Sequence, residues 1–300
     1  MLSPSRLIVA LVTALVCVAT LATVPGLAVE PTSGQPATDT PNYSDDDALQ
    51  PPSPVRVLPT RCTGRDNVIP VRARPCRITR FGSKDRPLVV VWGDSHAWQQ
   101  TPAIIAEAER TRTSLVVFQM GACPPMLIDP RTPGECAKMG RLVYEFVATR
   151  ALRGLPTTVI LGGAWAFYRG VREGSIATTD YLARQAALSD DGIPAALRAL
   201  GKLRRTRLVG LAQMPMIPEG ACAESYACDL PRAQAVPDEE RYKRWLARRT
   251  DLTVDATGFV CSLEVCLAQV DGVPTYLDAL HLNPEIAPEF TPLYREAFAG

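Results

Sequence analysis

Residues 88–92 read Leu-Val-Val-Val-Trp, and the run stops at Gly93-Asp94. A short apolar run without alternation is what a strand covered on both faces requires, and such strands belong to parallel sheets. The same pattern returns at 114–119, 157–161, 207–212 and, shortest, 252–254. Between these runs lie segments with helical spacing of apolar residues: 98–110, 135–150, 179–203, 238–249 and 284–298. The third should be interrupted near Gly192-Ile193-Pro194. Strand and helix alternate, which predicts an α/β fold: a three-layer α/β/α body around a parallel five-stranded sheet. Ligands of such sheets sit beyond the carboxyl ends of the strands.

Two segments precede this body. Arg6 is the sole charge before Glu30, and 7–24 is an apolar run closed by Pro25-Gly26. Its length fits both a signal core and a tilted membrane helix, and Gly26-Leu27-Ala28 offers the small residues that signal cleavage needs. Residues 1–28 therefore read as either a cleaved signal peptide or a membrane anchor. Both place the remainder outside the cytoplasm, secreted or anchored by the N-terminal helix. Residues 29–60 are rich in Pro, Thr, Ser and Asp (Ser44-Asp45-Asp46-Asp47, Pro51-Pro52) and predict a disordered spacer. The folded domain is expected over 61–300.

Cysteine usage agrees with export. Leaving out Cys17 in the apolar run, the cysteines are Cys62, Cys76, Cys123, Cys136, Cys222, Cys228, Cys261 and Cys266. An even set in an oxidising compartment suggests disulfides, and the spacing groups them as 62–76, 123–136, 222–228 and 261–266. A zinc site lacks its CxxC spacing, and the chain has only 2 histidines. No metal is expected. A net charge of +1 without a basic stripe leaves no case for nucleic acid.

The loop after the first strand reads Gly93-Asp94-Ser95-His96-Ala97. A serine between a buried strand and a helix start is held firmly, and the helix N-terminus offers free N–H groups to a developing oxyanion. A serine hydroxyl needs a base. His96 is its sequence neighbour and badly placed for that role, which leaves His281. Asp278, three residues earlier, can orient the His281 imidazole across a tight turn. The expected catalytic set is Ser95, His281 and Asp278. Asp94 is expected to tie down its own turn. His96 should face the sugar or support the site from behind. Trp92, Trp98, Trp165 and Tyr168 line a cleft or pack in the core.

The block order resembles the SGNH (GDSL-type) hydrolase superfamily: Gly-Asp-Ser after the first strand and Asp-x-x-His before the last helix. More narrowly, Trp92-Gly93-Asp94-Ser95-His96-Ala97 and Asp278-Ala279-Leu280-His281-Leu282 resemble SGNH domains fused to membrane acyltransferases that O-acylate bacterial surface polysaccharides. The Gly121-Ala122-Cys123-Pro124 and Gly162-Gly163-Ala164-Trp165 blocks fall where that subgroup carries such residues.

The resemblance implies a flavodoxin-like sheet, Gly121 as an oxyanion donor, and a substrate-facing third block. It also implies O-acetyl transfer or carbohydrate-ester hydrolysis through an acyl-serine, without a cofactor. The substrate would be a cell-envelope polysaccharide or peptidoglycan, with a separate membrane acyltransferase supplying acyl groups. The sequence departs from the general pattern in one place. Where the third block usually has Asn, Ala164 stands, and a missing oxyanion donor is worth about 2.7–4 kcal/mol. Two other readings stay open: a catalytically silent glycan-binding or assembly module on the same scaffold, and thiol chemistry at Cys123.

Overall fold

Leu88–Gly93 (β2) is buried along its whole length because the side chains of alternate residues enter two different cores. Val89 and Val91 join one cluster, and Leu88, Val90 and Trp92 the other. The computed structural model describes residues 55–299 apart from 66, 84–85, 219 and 223–227. The export segment and most of the spacer lie outside the described residues.

Around β2 runs a sheet of 6 strands in the order β1-β3-β2-β4-β5-β6. The others are Cys76–Thr79 (β1), Ser114–Gln119 (β3), Thr157–Gly162 (β4), Thr206–Leu211 (β5) and Leu252–Val254 (β6). The five expected strands pair in parallel. The sixth, β1, is an antiparallel edge strand on β3. Its sequence, Cys-Arg-Ile-Thr, is too short and polar to show a strand period. A Cys62–Cys76 disulfide and the pairing with β3 hold it in place instead.

Helices cover both faces. Thr101–Arg110 (α2) packs Ala103, Ile104 and Ala108 into the first core, with Ile286, Ala287 and Phe290 from the C-terminal segment. Glu135–Leu152 (α3), Asp180–Gly201 (α5) and Glu239–Ala247 (α6) cover the other face through residues such as Val143, Leu200 and Leu246. A four-residue helix, Ser95–Trp98 (α1), precedes α2, and Trp165–Arg172 (α4) follows β4. The expected helix 98–110 thus begins at the last residue of α1 and matches α2, whereas α4 lies where no helix is expected.

Two further expectations are corrected. α5 runs without interruption although Pro194 lies inside it. Proline removes one helical donor, but the packing of α5 over its whole length outweighs that loss. At Gly192 the helix is anchored from outside: its carbonyl accepts from the Leu127 N–H at 2.9 Å. A Cβ there would lie 2.9 Å from Met126 Cβ. The C-terminal segment is mostly a 3-10 helix, Pro284–Tyr294, with α-helix only at Arg295–Phe298. Pro288 and Pro292 remove α-helical donors inside it. Leu58, ahead of residue 61, is only 1% exposed. Among the described residues, no helix is long and apolar enough to cross a membrane.

Candidate active site

Three loops leave the sheet side by side. Gly93 is in register with Gln119 on β3 and with Gly162 on β4. Ser95, Gly121 and Ala164 each lie two residues beyond these positions. The chain leaves β2 for β3 on one side and later β4 on the other, so Ser95 stands at the topological switch point. Close approach is possible because of two glycines. A Cβ on Gly93 would lie 2.1 Å from the Gly162 carbonyl oxygen, and one on Gly162 would lie 2.8 Å from Ala97 Cβ.

Asp94 is the N-cap of α1 and is fully buried. Its Oδ1 accepts from the His96 N–H at 2.8 Å. Its Oδ2 accepts from the Ala164 N–H at 3.0 Å and the Tyr168 hydroxyl at 2.9 Å. One carboxylate thus fixes its own turn and joins the first loop to the third. Burial raises its pKa, and these three donors act against that rise. Tyr168 is a polar anchor whose pKa burial and the neighbouring Asp94 push well up. The Ala164 N–H is committed to Asp94, and the indole N–H of buried Trp165 donates to the Leu211 carbonyl at 2.8 Å.

The 276–282 loop is closed by a Tyr276–Leu282 bridge and by the Leu277 N–H donating to the His281 carbonyl at 2.9 Å. Inside it, Asp278 Oδ1 accepts the N–H groups of Leu280 and His281, each at 2.7 Å. The same carboxylate lies 2.8 Å from His281 Nδ1 through Oδ2. Both side chains are buried. A carboxylate only accepts, so Nδ1 carries the hydrogen and Nε2 keeps its lone pair. That Nε2 is buried and makes no hydrogen bond among the described residues.

Long-range contacts bring this loop to α1. Gln99 Oε1 accepts from the Leu282 N–H at 2.7 Å, and Gln100 Oε1 accepts from the Tyr294 hydroxyl at 2.8 Å. The Trp98 ring meets the His281 ring edge-on at 6.4 Å, and the His96 ring lies 5.9 Å from it. Ser95 is 4% exposed and its hydroxyl makes no hydrogen bond among the described residues. Neither the Ser95 N–H nor the Gly121 N–H donates to a protein acceptor there. Next to Gly121, Ala122 sits at φ 52°, a left-handed conformation that costs a residue with a Cβ about 1–2 kcal/mol. The adjoining Cys123–Cys136 disulfide holds this turn. It also leaves Cys123 without a thiol. The structure likewise joins Cys222 to Cys228 and Cys261 to Cys266.

Sequence reasoning missed Gln213, in the loop after β5. Its Oε1 accepts the Ala166 N–H at 3.1 Å, and its Nε2 lies 3.4 Å from His96 Nδ1. Nothing local marks this glutamine, since its partners are distant in sequence. His96 is buried, and burial together with the nearby His281 lowers its pKa to about 3. The unfolded chain takes up that proton near the ordinary value of 6.5, while the folded chain resists it. This contribution to stability is therefore complete above pH 6.5 and is lost progressively as pH falls toward about 3. A His96→Gln variant should show a shallower loss of urea midpoint over that window than the parent. Equal slopes would show that His96 does not govern it.

The family model described as "SGNH domain (fused to AT3 domains)" matches residues 61–296. No curated protein matches the sequence. Among solved structures, the lipopolysaccharide acetyltransferase periplasmic domain of Salmonella ser. Paratyphi A aligns with a TM-score of 0.47 and 13% identity, over 72% of this chain and 85% of that one. Est24, a carbohydrate acetylesterase from Sinorhizobium meliloti, aligns with a TM-score of 0.40 and 14% identity, over 71% and 98%.

Proposed function

Because the chain belongs to the family of SGNH domains found fused to AT3 domains, we propose that it is an exported serine acyl-transfer enzyme acting on a cell-envelope glycan. The observation that carries this reading is the buried Asp278–His281 pair, with Nε2 uncommitted and the ring packed against the helix that bears Ser95. Ser95 Oγ attacks the carbonyl carbon of an acyl ester, and its proton passes to His281 Nε2. Asp278 holds the imidazole and stabilises the imidazolium. The Ser95 and Gly121 N–H groups donate to the oxyanion. Collapse expels the alcohol, which takes the proton back from His281 and leaves acyl-Ser95. Water then completes an esterase cycle, or a sugar hydroxyl completes an O-acyltransferase cycle. The family description favours transfer, with acyl groups supplied by a membrane acyltransferase. The four disulfides are in keeping with an extracytoplasmic site of action.

Intact mass after incubation with an activated acetyl ester tests the proposal. One acetyl adduct mapped to Ser95 is expected, discharged faster when an oligosaccharide acceptor is added. Absence of both adduct and turnover across several acyl esters would leave the silent binding module as the better account.

A further inference from the structure

The site has two backbone donors for an oxyanion and lacks the amide side chain usual at the third block. Ala164 offers no side-chain donor, and its N–H is committed to Asp94. We propose that the neutral Nε2–H of His96 is the third oxyanion donor. The inference rests on the acyl-Ser95 reading above and assigns that reaction a further catalytic residue.

Gln213 determines where the His96 hydrogen sits. The amide orientation is set independently of the histidine: Oε1 accepts the Ala166 N–H at 3.1 Å, and Nε2 donates to the Met214 carbonyl at 2.9 Å. The group that faces His96 Nδ1 at 3.4 Å is therefore an N–H. Nδ1 must offer a lone pair to it, which puts the ring hydrogen on Nε2. That Nε2 is buried and has no acceptor among the described residues. A buried donor left unpaired costs about 1–3 kcal/mol, and an oxyanion formed at Ser95 would remove that cost in the transition state alone.

Location supports the same role. His96 follows Ser95 on α1, and its ring is tilted 49° against that of His281 at 5.9 Å. Each imidazole is held at Nδ1, one by Gln213 and one by Asp278, and each has an unpartnered Nε2. The two anchors have opposite chemistry. A carboxylate makes His281 Nε2 a base, and an amide N–H makes His96 Nε2 a donor. Burial and the neighbouring His281 keep His96 uncharged, so it is no competing acid. Trp98 Nε1 and Gln99 Nε2 also lack acceptors among the described residues, but both lie further along the chain from Ser95 than His96 does. Through the cycle His96 keeps its proton: as Ser95 attacks, the carbonyl electron pair moves onto oxygen, and that oxygen accepts from Ser95 N–H, Gly121 N–H and His96 Nε2–H.

The test compares His96→Leu and His96→Gln in the full chain, using an activated acetyl ester and a boronic acid that forms a tetrahedral adduct on Ser95. His96→Leu should lower kcat by about 10²–10³-fold with KM changed less than about threefold, and boronate affinity should fall with kcat. His96→Gln, which keeps a neutral donor, should recover at least about tenfold of that loss. His96→Phe, closer to histidine in shape, replaces the leucine variant if the latter melts below the assay temperature. A folded donor-free variant with kcat within about threefold of the parent would overturn the proposal. So would a kcat loss with boronate affinity unchanged. A parent chain that never acylates Ser95 overturns the underlying reaction, whereas an acylating parent with an indifferent His96 overturns this inference alone.

Discussion

Ser95→Ala is expected to lower turnover of an activated acetyl ester by about 10⁴–10⁶-fold and to abolish the acetyl adduct, with the fold intact. The size follows from the loss of the one atom that forms the covalent bond. What survives is the modest catalysis that binding and oxyanion donors provide without a nucleophile. The fold should be indifferent because the Ser95 hydroxyl makes no hydrogen bond among the described residues, and the α1 N-terminus is capped by Asp94. The expected change in stability is within about 0.5 kcal/mol. Turnover within about tenfold of the parent, at equal protein purity, would mean that another group carries the reaction.

Gly93→Ala should have the largest effect on folding. The added methyl would meet the Gly162 carbonyl oxygen at 2.1 Å and Ala97 Cβ at 2.5 Å. Neither neighbour is the flexible end of a side chain. One is the backbone of the adjacent central strand, and the other belongs to the helix that carries Ser95. Overpacking of this kind costs about 3 kcal/mol. Relief requires α1 or the end of β4 to move, and either motion displaces Ser95 relative to His281. A displacement near 1 Å costs about 10²-fold in rate, so the variant should lose acylation rate beyond its loss of folded fraction. Urea unfolding and single-turnover acylation read the two effects separately. An unchanged urea midpoint would show that the strand ends are looser than this geometry allows.

The central strands were legible because burial on both faces writes a continuous apolar run, as in Leu88–Gly93. The turn that follows was legible because Gly-Asp-Ser is a local code for a cap and a tight bend. Asp278 and His281 were legible for a similar reason: a spacing of three residues lets one carboxylate bond both the loop backbone and the ring. The edge strand Cys76–Thr79 was not, since an edge needs no apolar period and gains its shape from β3. The long 3-10 stretch at Pro284–Tyr294 looked helical because its apolar spacing is helical, while its internal prolines decide the hydrogen bonding.

The sequence alone thus determined the five parallel strands, the position of Ser95 at the carboxyl end of the first of them and the Asp278–His281 pair near the far end of the chain. Each of these is written in a pattern local in sequence: an apolar run, a Gly-Asp-Ser turn and an Asp-x-x-His spacing. The tertiary structure decided what those groups can do. Gln99 draws the His281 loop onto α1, Ala164 gives its N–H to Asp94, and Gln213 sets which His96 nitrogen bears hydrogen. A glutamine or an alanine has no local signature for such a role. Its effect comes from which donor or acceptor the folded chain brings against it, and only the packed structure specifies that.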